Sequence, residues 1–223
     1  MKLHNYFRSS ASYRVRIALN AKGLPYDYVP VHLVKGEHRA PGFASHVGDA
    51  LVPALEMDDG QWLTQSLAII EWLDETYPDT PSMLPGNALA RARIRALALQ
   101  VACEIHPINN LRVLGYIKNE LGQSEEVKNQ WYQHWCRTGL EAFERQLVLL
   151  AAERQTAGLA RSSFCWGDSL TLADCALVPQ IFNAQRFNVN LDDLPLTMAA
   201  YHAALATDAV QKAHPSACPD AQV

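Results

Sequence analysis

The sequence predicts a small α/β domain followed by an all-helical domain, and three observations carry that expectation. Strand and helix patterns alternate over the first eighty residues, a proline-rich stretch then interrupts the chain, and every later periodicity is helical. With 223 residues, 49% of them hydrophobic and 19% charged, the chain is long enough for one large domain or two small ones.

Lys2 to Tyr6 reads as a strand, Ser12 to Lys22 as a helix closed by Gly23, and Tyr26 to Val31 as a second strand entered after Pro25. That order implies a parallel pair joined by a right-handed crossover. The stretch from Lys35 to Asp49 is less regular. Ala54 to Met57 and Gln61 to Leu63 flank the turn Asp58-Asp59-Gly60, a hairpin signal. A helix from Ser66 to Thr76 follows, with Leu67, Ile70 and Leu73 spaced to bury one face. These elements make a first domain over residues 1–80.

Between Tyr77 and Asn87 three prolines and a glycine exclude any regular element, so this stretch reads as a linker. The second domain spans residues 88–213, with helices expected from Ala88 to about Glu120, Ser124 to about Arg154, Thr171 to Ala184 and Leu196 to Ala213. Thr171-Leu-Ala-Asp174 has the form of a capping box with Asp in the third helical position. Residues 214–223, with two prolines and small side chains, read as a poorly ordered tail.

A net charge of −4 gives no basic footprint, so nucleic acid is not an expected partner. No apolar run approaches the roughly 20 residues that span a bilayer, so no membrane is expected either. The N-terminus has no long apolar segment of the kind that directs secretion. Five widely spaced cysteines without a C-x-x-C pattern argue for reduced thiols in the cytoplasm, and against a metal site or a dithiol redox centre.

Three places carry chemistry. In Tyr6-Phe-Arg-Ser-Ser-Ala-Ser-Tyr-Arg-Val-Arg-Ile-Ala-Leu19, hydroxyls and arginines gather where a strand hands over to a helix. A helix N-terminus leaves N–H groups unpaired and attracts anions. The plain alternative is that Ser9, Ser10 or Ser12 caps the helix while Arg14 and Arg16 point into water or brace it. At Val52-Pro53, a cis bond at the strand entry would turn the Val52 backbone outward towards an extended peptide. At Gln65-Ser66, Ser66 is an N-cap candidate, and the same turn can bind a carboxylate.

These segments, with Gln65-Ser-Leu-Ala-Ile-Ile-Glu71 and Gly167-Asp-Ser-Leu-Thr-Leu-Ala-Asp174, resemble the zeta class of glutathione transferases over nearly the whole chain. The resemblance implies a thioredoxin-like domain that holds glutathione and a helical bundle that supplies the second-substrate pocket. Ser9, with Ser10 beside it, would stabilise the glutathione thiolate. Val52, before a cis Pro53, would pair with the cysteinyl backbone, Gln65 and Ser66 would take the γ-glutamyl carboxylate, and His38 would lie near the glycyl end. His106, Asn110 and Arg112 would border the cleft. Arg8, Arg112 and Arg186 would face a small acidic maleyl-type substrate, since guanidinium groups suit paired carboxylates. Arg91, Arg93 and Arg95 read as a solvated helix face, and Asp168 and Asp174 as folding residues.

The implied activity is glutathione-dependent cis–trans isomerisation of maleylacetoacetate or maleylpyruvate by reversible thiolate addition, in a cytoplasmic homodimer. A general transferase acting on halo-acids and a non-catalytic interaction module are the alternatives. Two departures from the zeta pattern stand out. Ala11 replaces the usual cysteine of the Ser-Ser-Cys motif, so the nucleophile must arrive with the cofactor. Val47-Gly48 replaces the usual Asn-Pro, and the nearby Asp49 is expected to weaken capture of the glycyl carboxylate.

Overall fold

Strand β1 (Lys2–Asn5) lies in the middle of a mixed sheet, parallel to β2 (Asp27–Pro30) and antiparallel to β3 (Ala54–Glu56), and β3 pairs antiparallel with β4 (Trp62–Thr64). The strand order is β2-β1-β3-β4 in a computed structural model that describes residues 1–222. Leu3 stands opposite both Tyr28 and Leu55, which fixes the register at the centre of the sheet.

Alternation along β1 separates two faces. Leu3 and Asn5 are fully buried, as are Ile17 and Leu19 of helix α1 (Ser10–Ala21) and Ile69, Ile70 and Leu73 of α3 (Ser66–Thr76), two helices that pack on each other. His4 points the other way, its ring centroid 4.4 Å from that of Trp62. Phe43, on the short helix α2 (Pro41–Ala44), packs on the same indole. A cavity of about 550 Å³ on this side is lined by His4, Phe43, His46, Glu56 and Trp62 among others, and none of its lining residues belongs to the expected glutathione site.

The chain divides into two units, residues 1–85 together with the chain from Leu205 onward, and residues 86–204. This differs from the expected boundaries of 1–80, 88–213 and 214–223. Helix α9 (Asp208–Ala213) packs against α1, where Asn20 donates to the Ala209 carbonyl at 3.2 Å and Arg16 Nε to the Ala213 carbonyl at 3.0 Å. The tail is not loose over its described length. It forms 3₁₀ turns at Pro215–Ala217 and Pro219–Gln222, and Pro215, Cys218 and Asp220 are buried.

The second unit contains α4 (Ala88–Leu99), α5 (Leu111–Gly115), α6 (Glu125–Thr156), α7 (Leu172–Arg186) and most of α8 (Pro195–Leu205). The single helix expected from Ala88 to Glu120 is broken. Helix α4 widens into a π-helical turn at Gln100–Ile105, Pro107 opens a 3₁₀ turn at Pro107–Asn109, and a second π-helical turn at Tyr116–Glu120 follows α5. Pro107 lacks an N–H and cannot continue a regular helix. The helix expected over residues 196–213 is likewise split, because Thr207 accepts the Val210 N–H and starts α9 anew. Thr171 and Asp174 form the capping box, and Asp174 also accepts the Cys165 N–H at 2.8 Å. Glu144, on α6, caps α8 by accepting the Leu196 and Thr197 N–H groups.

Candidate functional site

In the first unit the site begins at the turn between β1 and α1. Ser9 takes the N-cap position, where its Oγ accepts the Ser12 N–H at 3.2 Å. That contact uses the hydroxyl as an acceptor and leaves its hydrogen available to a ligand. Ser10 is the buried first residue of the helix, and Ser12 Oγ accepts the Tyr6 N–H at 3.4 Å. Of the three serines, Ser9 is therefore the one whose geometry suits an anion at the helix end.

Arg8 is exposed, yet its side chain is held. Nε and Nη2 donate to the Tyr6 hydroxyl at 3.3 and 3.0 Å, and the guanidinium lies 5.1 Å from the Phe7 ring centroid. Arg14 and Arg16 do not point into water: they are 3% and 1% exposed. Arg16 braces the turn, donating to Asn5 Oδ1 at 2.9 Å, the Tyr6 carbonyl at 3.4 Å and the Phe7 carbonyl at 2.9 Å. Arg14 Nη1 donates to Ser66 Oγ at 3.2 Å.

Gln65, not Ser66, occupies the cap position of α3, with φ 68° and no side-chain cap. Ser66 is the buried first helical residue. The leading N–H groups of an eleven-residue helix thus lie beside the Arg14 charge without a capping side chain, an arrangement suited to a carboxylate. Asp49 accepts from Gln65 Nε2 at 3.3 Å and from the Leu51 N–H at 3.2 Å, so it braces the approach to Val52.

The Val52-Pro53 bond is cis. Strand pairing starts at Ala54, which leaves the Val52 backbone beyond the last ladder pair. Val52 shares an apolar cluster with Tyr6, Val47 and Ala54, and Phe7 packs on its edge. His38 lies in a 3₁₀ turn, Glu37–Arg39, and its buried Nδ1 has no hydrogen-bond partner among the described residues. Burial, with the Arg39 charge beside it, lowers the His38 pKa and keeps the imidazole neutral at neutral pH. A helix end without a capping side chain, a backbone edge outside the ladder and a buried imidazole nitrogen fit the carboxylates and extended amides of glutathione.

The remaining expected residues lie in the second unit. His106 follows the first π-helical turn, before Pro107. Asn110 is the N-cap of α5, its Oδ1 accepting the Arg112 and Val113 N–H groups at 3.0 and 3.2 Å, so its carbonyl serves the helix. Arg112 is exposed on α5. Arg186 ends α7, also exposed, and donates to Asn183 Oδ1 at 3.2 Å beside the Phe182 ring. Asn109 carries no signal in the sequence, yet it is 8% exposed and neither side-chain polar atom has a partner among the described residues.

A mixed four-stranded sheet with a cis-proline before β3 and an anion-ready helix end, followed by a helical part, is the architecture of a glutathione transferase. Residues 8–76 match the family described as glutathione S-transferase, N-terminal domain. The chain is 47% identical over 220 residues to a maleylpyruvate isomerase of Ralstonia sp, covering 99% of each protein. Among solved structures it is similar to a holo maleyl pyruvate isomerase, a bacterial zeta-class glutathione transferase, with TM-score 0.90, 47% identity and 99% of each chain covered. It is also similar to the maleylacetoacetate isomerase of Anaeromyxobacter dehalogenans 2CP-1 with bound dicarboxyethyl glutathione and citrate, with TM-score 0.82 and 37% identity over 99% of this chain and 93% of that one. The chain belongs to the zeta class of glutathione transferases, the branch that holds these isomerases.

Proposed function

We propose that this protein is a glutathione-dependent cis–trans isomerase of small maleyl-type keto acids, with maleylpyruvate and maleylacetoacetate as its substrates to test. The observation that carries the reading is Ser9, a helix cap whose hydroxyl keeps a hydrogen to donate next to the anchored Arg8. When bound, glutathione would supply a thiolate for reversible addition to the cis double bond, the chemistry by which a cis acid becomes trans without net consumption of the thiol.

The chain's own residues do the rest. The Ser9 hydroxyl and the α1 N-terminus favour the anionic form of a sulfur placed there. Arg14, Gln65, Ser66 and the N–H groups of α3 hold the γ-glutamyl carboxylate, the Val52 backbone pairs with the cysteinyl unit, and His38 meets the glycyl end. Arg8, next to Ser9 in the chain, supplies a cation for a substrate carboxylate and for the negative charge that develops next to the carbonyl, and the exposed Arg112 and Arg186 of the second unit are each separate candidates for the same duty. The chain's buried thiols are poor rivals for the nucleophilic role. Burial pushes Cys136 up to about 11 and Cys165 well above its usual range.

A homodimer in the cytoplasm belongs to the same proposal. Five cysteines without a disulfide suit a reducing compartment. A solution mass twice the 24.8 kDa of the chain is the expected result by light scattering.

The test mixes the purified protein and glutathione with each cis substrate and follows the loss of ultraviolet absorbance. Glutathione-dependent isomerisation of at least one substrate is expected. Folded protein that isomerises neither overturns the proposal.

A further inference from the structure

The tail reaches the catalytic turn through one buried carboxylate. Asp220, 7% exposed, accepts the Phe7 N–H on Oδ2 at 3.2 Å and the Tyr28 hydroxyl on Oδ1 at 2.5 Å. The Phe7 carbonyl accepts Arg16 Nη2 at 2.9 Å. Phe7 is therefore held at both polar ends, by a carboxylate 213 positions away and by a guanidinium that also ties down Asn5, Tyr6 and Ala213. The Ser9 N–H closes the turn on the Tyr6 carbonyl at 3.0 Å, so a displaced Phe7 peptide carries Ser9 with it.

Phe7 stands two residues before Ser9, so its placement sets the start of α1. It is followed by Arg8, whose guanidinium lies against the Phe7 ring, and then by the hydroxyl that meets the sulfur. A placement error of about 1 Å at such a group is enough to cost two orders of magnitude in rate. A buried carboxylate accepting a backbone N–H is among the stronger fixings available to a loop.

We propose that Asp220 is a positioning residue of the isomerase: the tail carboxylate sets the Phe7 peptide, and through it the placement of Ser9 and Arg8 against the thiol and the substrate. The inference rests on the reading of Ser9 given above. It makes the C-terminal turn part of the active-site machinery and not merely an edge of the first unit.

The test compares Asp220→Ala, Asp220→Asn and Tyr28→Phe with the unaltered protein, all assayed well below their melting temperatures. Three quantities are read: exchange of the Phe7 to Ser9 amides without glutathione, the pH at which bound glutathione ionises, and kcat beside KM for glutathione. Asp220→Ala is expected to speed amide exchange, raise the ionisation pH and lower kcat about tenfold, with KM for glutathione changed less than about twofold. Asp220→Asn still offers an acceptor to the Phe7 N–H and recovers most of the loss. Tyr28→Phe removes the other contact of Asp220, leaves Phe7 held and keeps kcat within about twofold.

The proposal is overturned if Asp220→Ala leaves ionisation and kcat unchanged, if Asn rescues nothing, or if Tyr28→Phe does the same damage. If Asp220→Ala fails to fold, Asp220→Glu, which moves the carboxylate by one methylene, takes its place: a faster Phe7 amide with kcat intact sinks the proposal, and so does an unchanged Phe7 amide, whereas a kcat loss in proportion to faster exchange supports it. Unaltered protein that does not ionise bound glutathione instead refutes the reading of Ser9 before any variant is measured, and this proposal falls with it.

Discussion

Arg14 donates to the Ser66 hydroxyl at 3.2 Å across 52 positions of sequence, joining the buried face of α1 to the first residue of α3. The contact places a permanent cation behind N–H groups that no side chain caps. A carboxylate bound there gains a charge-assisted hydrogen-bonding environment, worth about 1.5–3 kcal/mol. Arg14→Gln is expected to weaken glutathione binding about tenfold to a hundredfold, with Arg14→Lys in between, because a point charge cannot reproduce the fork. Calorimetric titration with glutathione, with circular dichroism to check the fold, measures it. Equal affinity in all three proteins would remove Arg14 from the site.

Ser9 carries two duties that substitution can separate. As a cap it accepts the Ser12 N–H, and in the proposed reaction its hydrogen is the one donated to the glutathione sulfur. Ser9→Ala removes both, and is expected to cost about 1 kcal/mol of stability and about a hundredfold in kcat. Ser9→Asp retains an acceptor at the helix end and places a negative charge where the thiolate must form. Stability should therefore hold while isomerisation is lost. Melting curves beside steady-state rates give the answer, and an active Asp variant would contradict the donor role.

Lys22 and Asp74 make a pH-dependent joint between α1, α3 and the linker. Asp74 accepts from Lys22 Nζ at 2.9 Å, from Ser82 Oγ at 2.7 Å and from the Met83 N–H at 2.7 Å. Burial pushes the carboxyl up, but Lys22 and the donors from Met83 and Ser82 outweigh it and hold the pKa below its ordinary value. Since the folded pKa is the lower one, the contribution is complete above the unfolded value of about 3.9 and disappears as pH falls through the folded value. Denaturant melts should show stability declining in acid, and Asp74→Asn should cost about 2 kcal/mol at neutral pH while flattening that decline. An unchanged acid slope in the variant would assign it to other carboxylates.

What was legible in the sequence was local. Helix α3 runs from Ser66 to Thr76 as its apolar spacing predicts, and the Asp58-Asp59-Gly60 turn does join two paired strands. The signals that failed were those decided by distant partners. Arg14 and Arg16 are buried because their acceptors come from α3, from the β1 turn and from Ala213, none of which a helix pattern reveals. Asp220 sits in a segment rich in proline and small residues, which reads as disorder until Phe7 and Tyr28 are seen to donate to it. Ser66 looks like a cap by residue type, yet the positive φ of Gln65 shifts the helix start by one position.

Gly139 marks where α6 meets the π-helical turn that precedes Pro107. A Cβ built at Gly139 on α6 would lie 2.7 Å from Ile105 Cδ1 and closer still to Cγ1, so the π-helical turn that ends at Ile105 rests directly on the α6 backbone. Alanine in a helix interior normally gains about 1 kcal/mol over glycine. Forced overlap in a packed core typically costs about 1–3 kcal/mol, and at these separations the overlap prevails. Gly139→Ala is therefore expected to lose about 1 kcal/mol net. In an Ile105→Ala background the clash is gone, and the same substitution should become neutral or stabilising. A double-mutant cycle by urea denaturation reads the coupling directly. Additive effects would mean that α6 and the π-helical turn do not press on each other at this pair.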